Sequence, residues 1–217
     1  MTAISPAQLD ALLREGHIAL DVRPLEQVAA AHVPGSVNIA LSGQFASWAG
    51  TVLGLSSNPV LIADTPEQIA EARLRLARVG IENLAGELAG GLAAWKQAGF
   101  PAAEVRQISV EALDKALKGS TLQVLDVRRK SEWQAGHIEG AAWWPLDNFK
   151  VSPPEMNHDA PIAVHCKGGY RGMIACSLLQ RAGFQNVVNV MGGFDAWQQA
   201  QLPVAIAPAQ EVKAAGA

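Results

Sequence analysis

The chain has 217 residues, of which 49% are hydrophobic and 17% charged, with a formal net charge of −3. That length suits one large domain or two of about 100 residues. The weak acidic balance gives no electrostatic case for nucleic acid or an anionic membrane surface, and no apolar run is long enough to span a bilayer.

In chain order, the first ten residues already announce a repeat. Ile4-Ser5-Pro6-Ala7-Gln8-Leu9-Asp10 returns as Ile108-Ser109-Val110-Glu111-Ala112-Leu113-Asp114. In each copy Ser is placed to cap a short helix, and Pro6 fits a first helical position. Met1 to Pro6 lacks the basic start and apolar core of a signal peptide, and Cys166 and Cys176, ten apart around one strand-helix unit, are expected to be reduced thiols in a cytoplasmic setting. Leu20-Asp21-Val22-Arg23 returns as Leu125-Asp126-Val127-Arg128, and His32-Val33-Pro34-Gly35-Ser36 as His137-Ile138-Glu139-Gly140-Ala141. Gly90-Gly91-Leu92-Ala93-Ala94-Trp95 returns as Gly192-Gly193-Phe194-Asp195-Ala196-Trp197. The offset stays between 102 and 105 throughout, the mark of a duplicated domain rather than a short-period solenoid. The expected division is residues 1–104, residues 105–207 and a flexible tail at 208–217, with Ala205 onward already lacking an apolar pattern.

Short β-branched runs alternate with helical patterns in both copies. Strands are expected at Ile18–Val22, Val37–Ala40, Val60–Ala63 and Ile81–Leu84 in the first, and at Leu122–Val127, Ala141–Trp144, Ile162–Val164 and Val187–Val190 in the second. Gln68–Val79 reads as a helix with Ile69, Ala72, Leu76 and Val79 on one face and a Glu71–Arg75 pair on the other. A helix is also expected at Lys130–Ala135. Such alternation argues for an α/β fold, each copy a parallel sheet flanked by helices.

The second copy carries the most chemically pointed stretch, Ile162 to Gln180. A buried strand runs into Cys166-Lys167-Gly168-Gly169-Tyr170-Arg171-Gly172, and a helix follows from Met173. Cys166 then sits at the carboxyl end of a parallel strand, where open α/β sheets place their sites. Loop N–H groups from about Lys167 to Gly172 are expected to form an anion-binding nest around the sulfur, which favours thiolate over thiol and makes Cys166 a candidate nucleophile. The alternative is a structural cysteine beside a glycine turn. Four residues separate Cys166 from Arg171, one fewer than in the Cys-x5-Arg phosphate cradle of cysteine phosphatases, which argues against phosphatase or arsenate reductase chemistry.

The ordered set Asp-Val-Arg, His-Ile-x-Gly-Ala, Cys-x-x-Gly-x-Arg and Gly-Gly-Phe-x-x-Trp is similar to the motif set of rhodanese domains. The resemblance covers nearly the whole chain, and the pair resembles the tandem rhodanese region that follows a persulfide dioxygenase domain in some bacterial fusion proteins. It implies five-stranded parallel sheets and a sulfurtransferase that carries a persulfide on the loop Cys. The donor would be thiosulfate or a low-molecular-weight persulfide, and the acceptor a thiol or cyanide. No cofactor is implied. The five His residues are scattered without a His-x-His cluster, so no metal site is expected. The other reading is a sulfur carrier or docking module without small-molecule turnover.

Aligning Pro59 with Pro161 sets Asp64 opposite Cys166, so the first loop, Asp64-Thr65-Pro66-Glu67-Gln68, lacks thiol, glycine pair and arginine. The first domain is therefore expected to be inactive and to serve structure or a protein partner. Residues 1–104 carry six basic and ten acidic side chains, whereas residues 105–217 carry eleven and ten. Within the second loop, Arg171 is expected to neutralise a donor or to fix the loop, Lys167 to meet an anionic donor or solvent, and Tyr170 to line the rim. Gly172 stands where related loops often carry Ser. Asp126 with Arg128 and His137 have counterparts in the copy that lacks Cys, so they read as framework. His165 is expected to face away from the site, Cys176 to lie in the core, and Trp143 or Trp144 to wall the pocket.

Overall fold

The computed structural model describes residues 1–119 and 122–206. The tail expected at 208–217 lies outside them. The chain forms two compact units, Met1–Glu104 and a second that begins at Val105.

The first unit runs β1 (Ala3–Ile4), α1 (Pro6–Arg14), β2 (Ala19–Asp21), α2 (Leu25–Ala30), β3 (Val37–Asn38), α3 (Phe45–Leu53), β4 (Val60–Ile62), α4 (Pro66–Ala77), β5 (Gly86–Leu88) and α5 (Gly91–Gln97). Its five parallel strands lie in the order β1-β5-β4-β2-β3. The second unit repeats this as β6 (Arg106–Ile108), α6 (Val110–Leu117), β7 (Gln123–Asp126), α7 (Lys130–Gln134), β8 (Ala142–Trp143), a 3-10 turn (Leu146–Lys150), β9 (Ile162–His165), α8 (Tyr170–Arg181), β10 (Val187–Val190) and α9 (Gly193–Gln199). Its strands lie in the order β6-β10-β9-β7-β8, also parallel. This is the expected α/β architecture, two sheets each flanked by helices.

The central strands explain themselves. Every residue of β4 (Val-Leu-Ile) and of β9 (Ile-Ala-Val-His) is buried, as a parallel strand covered on both faces requires. The α1 helix starts in a capping box: Ser5 Oγ accepts from Gln8 N–H at 3.3 Å while Gln8 Oε1 accepts from Ser5 N–H at 2.8 Å. Ser109 Oγ accepts from Ala112 N–H at 3.2 Å at the matching start of α6. Each cap stabilises its helix by about 1 kcal/mol. Trp95 and Trp197 anchor the two cores and donate their indole N–H to Pro101 O at 2.7 Å and Pro203 O at 2.8 Å.

Three features depart from the sequence reading. The two-residue β1 and the β6 edge strand are too short to stand out as apolar runs. The strand expected at Ile81–Leu84 lies instead at Gly86–Leu88. Ile81 N–H bonds Leu76 O at 3.0 Å and so closes the end of α4, while Gly86 lets β5 approach β1: a Cβ there would lie 2.5 Å from Thr2 O and from Ile4 Cγ1. Finally, Ala205 is not free chain. It exchanges backbone hydrogen bonds with His137 at 2.9 and 3.0 Å, just as Ala103 does with His32.

Candidate active site

The site is built at the carboxyl end of β9. Cys166 directly follows the strand, and α8 begins four residues later at Tyr170. The thiol is buried, and Gly169 N–H donates to Cys166 Sγ at 3.1 Å. Gly169 has φ +104°, a conformation open to glycine, and stands at the N-cap position where the chain enters α8. Lys167 and Gly168 are exposed at the loop crest, Tyr170 and Arg171 are half-buried, and Gly172 is buried. Gly172 packs against β10 so closely that a Cβ would lie 2.8 Å from Asn189 Oδ1. A larger residue at 172 would therefore require the Asn189 side-chain amide to shift.

Arg171 does not point into open space. Its Nη1 and Nη2 each lie 2.7 Å from an oxygen of Glu132, which α7 presents from across the site. Of the two roles expected for Arg171, this geometry is that of a loop clamp. The bidentate pair holds the Glu132 carboxyl at about 2, well below the usual carboxylate range, and raises the Arg171 guanidinium above its ordinary value. Glu132 carried no sequence signal of its own, because its partner is 39 positions away.

Beneath the loop lies a buried charged layer. Asp126, at the end of β7, takes Arg128 in a fork: Nη2 at 2.6 Å and Nε at 2.9 Å to Oδ2, with Arg128 N–H at 2.9 Å to Oδ1. Arg128 also donates to Gly136 O at 2.7 Å and sits 3.9 Å above the Phe194 ring. Asp21 and Arg23 form the same fork in the first domain, at 2.6 Å, so the framework reading of this pair holds. His137 Nδ1 lies 3.2 Å from Trp133 O and His32 Nδ1 lies 2.8 Å from Val28 O, each a helix-end contact.

His165 faces this layer rather than solvent. It is fully buried, with Nε2 at 3.5 Å from Asp126 Oδ2 and Nδ1 at 3.3 Å from Cys166 O. Burial lowers its pKa against the opposing pull of the Asp126 carboxylate, so the ring is neutral near pH 7. Cys176 is buried in α8, and burial pushes its thiol far up. Both cysteines are free. Trp143 belongs to the core and donates Nε1–H to Arg128 O at 2.8 Å, the contact that Asn38 makes to Arg23 O at 3.1 Å in the first domain. Trp144 is buried with an indole N–H that has no partner among the described residues.

The matching loop of the first domain is built for a different purpose. Thr65 Oγ1 caps α4 by accepting from Gln68 N–H at 3.3 Å. Gln68 Oε1 in turn accepts from Asp64 N–H at 2.8 Å and Thr65 N–H at 3.3 Å. The amides of Asp64 and Thr65 are thus engaged by a side chain of the same helix. Asp64 is exposed and lies 3.9 Å from Arg23 Nη1. Among the described residues, no group of three His, Cys, Asp or Glu side chains is placed to hold a metal ion.

With strand order, loop and paired motifs in place, the class is defined. The rhodanese-like domain family model matches residues 5–98 and 109–200, and the chain belongs to that family, with two such domains in tandem. It is 32% identical over 97 residues to the putative sulfur carrier protein YrkF of Bacillus subtilis, covering 44% of this chain and 52% of that protein. The chain thus spans about half the length of that relative. It is 30% identical over 105 residues to a sulfurtransferase of Allochromatium vinosum, covering 48% of this chain and 97% of that protein. A rhodanese-related protein structure from Thermoplasma volcanium is 29% identical, with a TM-score of 0.44, and covers 47% of this chain and 99% of that one. The pairing with a persulfide dioxygenase domain belongs to the motif resemblance alone.

Proposed function

We propose that the second domain, residues 105–207, is a sulfurtransferase that works through a persulfide on Cys166. The observation that carries this reading is the Gly169 N–H directed at Cys166 Sγ at 3.1 Å, at the carboxyl end of a buried parallel strand. In the first step the Cys166 thiolate attacks the outer sulfur of thiosulfate or of a low-molecular-weight persulfide. A new S–S bond forms, and the old one breaks with its electron pair leaving on sulfite or on a thiolate. In the second step an acceptor thiolate or cyanide attacks the outer sulfur of the Cys166 persulfide. The acceptor leaves as a persulfide or thiocyanate and Cys166 returns as thiolate, so no external oxidant is consumed. Amides of residues 167–172 hold the anionic sulfur, Lys167 meets the donor from the exposed crest, Tyr170 lines the rim, and Arg171 keeps the loop's shape through Glu132.

The first domain, residues 1–104, is read as a non-transferring partner domain, because Asp64 replaces the thiol and Gln68 occupies the loop amides. Its role would be to dock a protein partner. Two free thiols fit a reducing cytoplasm, and no helix among the described residues is long and apolar enough to cross a membrane. The name of the Bacillus subtilis relative favours a second reading, in which Cys166 carries sulfur to a protein rather than turning over small molecules.

The test is intact-protein mass spectrometry after incubation with thiosulfate and, separately, glutathione persulfide. The expected result is a gain of one sulfur that is lost in Cys166→Ser and discharged by cyanide or a thiol. No gain from either donor overturns the proposal. Loading without discharge to small thiols selects the carrier reading.

A further inference from the structure

The Gly192-Gly193 turn was conspicuous in the sequence, yet it contributes no side chain to the loop. Its backbone does. Phe194 N–H donates to Cys166 O at 2.8 Å, and Asp195 N–H donates to Lys167 O at 2.9 Å. The first two carbonyls of the loop are therefore both turned toward the start of α9. The peptide bonds are trans, so each N–H lies opposite its carbonyl. Holding Cys166 O and Lys167 O on α9 directs Lys167 N–H and Gly168 N–H away from it. Neither amide has a hydrogen-bond partner among the described residues, which leaves both available to an anion held over the sulfur.

Only glycine permits this approach. Gly193 has φ +56°, and a Cβ there would lie 2.5 Å from Cys166 O and 2.6 Å from Lys167 O, the two carbonyls that must be held. We propose that Gly193 is a positioning residue: it seats the Cys166 loop on α9 and thereby makes the loop selective for anionic sulfur species. The proposal rests on the reading of Cys166 as nucleophile but concerns the charge preference of the loop, which is measurable without any sulfur transfer. The first domain supplies the control. Gly91 has the same φ of +56°, and a Cβ there would lie 2.5 Å from Ala63 O, so Gly91→Ala imposes similar strain beside a loop that has no thiol.

The experiment compares alkylation of Cys166 by iodoacetate and by iodoacetamide at one pH, read by peptide mass spectrometry. The full chain is used as wild type, Gly193→Ala and Gly91→Ala, with thermal unfolding of each. The expected result is a fall of about tenfold in the iodoacetate-to-iodoacetamide rate ratio for Gly193→Ala, of the order that charge-assisted hydrogen bonds confer, and no change for Gly91→Ala. Both rates changing together in Gly193→Ala, with the ratio intact, overturns the proposal. Should Gly193→Ala fail to fold, Asp195→Pro removes the donor to Lys167 O within the first turn of α9, where proline is tolerated, and Asp195→Asn controls for the lost charge; a ratio in Asp195→Pro no lower than in Asp195→Asn overturns it equally. A wild type that takes up no sulfur while Gly193→Ala still shifts the ratio refutes the sulfurtransferase reading and leaves the positioning role standing.

Discussion

Glu132 grips Arg171 by both ends of its guanidinium, each N–O distance 2.7 Å, and so ties the loop after β9 to α7. Because the carboxyl is held at about 2 in the folded protein against 4.5 as its ordinary value, the pair carries stability with a defined pH window. The contribution is complete above about pH 4.5 and is lost as pH falls toward 2, since protons then bind the unfolded chain first. Partial exposure of both side chains reduces it to about 1–2 kcal/mol. Glu132→Gln is expected to lose that amount in urea unfolding at pH 7. The difference from wild type should shrink steadily between pH 4.5 and pH 2.

His165 imposes a slope of the same sign in a higher window. Burial lowers its pKa below 6.5, with Arg128 and His137 assisting and Asp126 opposing. As pH falls through 6.5 the unfolded chain takes up the proton before the folded one does, so stability declines. One such proton is worth about 1.4 kcal/mol per pH unit at most. His165→Gln is expected to flatten the stability profile below pH 6.5 relative to wild type, measured by urea midpoints at a series of pH values.

Cys176 should be a bystander. Its thiol is buried and pushed up by burial, so native protein treated with iodoacetamide near pH 7 should label Cys166 alone, with both thiols labelled after denaturation. Cys176→Ala is expected to retain full sulfur loading. Loss of loading in a folded Cys176→Ala protein would give the second thiol a chemical role.

A thiol alone should not activate the first domain. The double variant Asp64→Cys/Cys166→Ser is expected to gain no sulfur from thiosulfate or glutathione persulfide in intact mass spectra, because Gln68 Oε1 still holds the amides of residues 64 and 65. Adding Gln68→Ala removes that competitor, and a sulfur gain appearing only then would locate the block at the capping box.

The parts of this molecule that were legible in sequence are those that repeat or alternate. Asp126 and Arg128 could be read as framework because Asp21 and Arg23 stand in the copy that lacks the loop thiol, and the fork geometry is the same in both. The buried strands β4 and β9 show themselves as apolar runs. What escaped were contacts whose partners are remote. Glu132 looks like any first-turn acid until α8 brings Arg171 against it. Gly86 looks like a loop residue until its closeness to Thr2 O places β5 there, leaving Ile81–Leu84 as the connection out of α4. Ala205 carries no pattern at all, since it is held by its backbone alone.

The capping box at Thr65 has a consequence beyond helix initiation. Gln68 Oε1 stands before the amides of Asp64 and Thr65 as a ligand tethered to the same chain. Sulfite, thiosulfate or a persulfide must compete with an intramolecular oxygen at high effective concentration, whereas Lys167 N–H and Gly168 N–H face no such rival among the described residues. The duplicated chain therefore contains its own occupied reference state. In amide spectra recorded during a titration with a sulfur donor, the signals of Asp64 and Thr65 should stay fixed while those of Lys167 and Gly168 move.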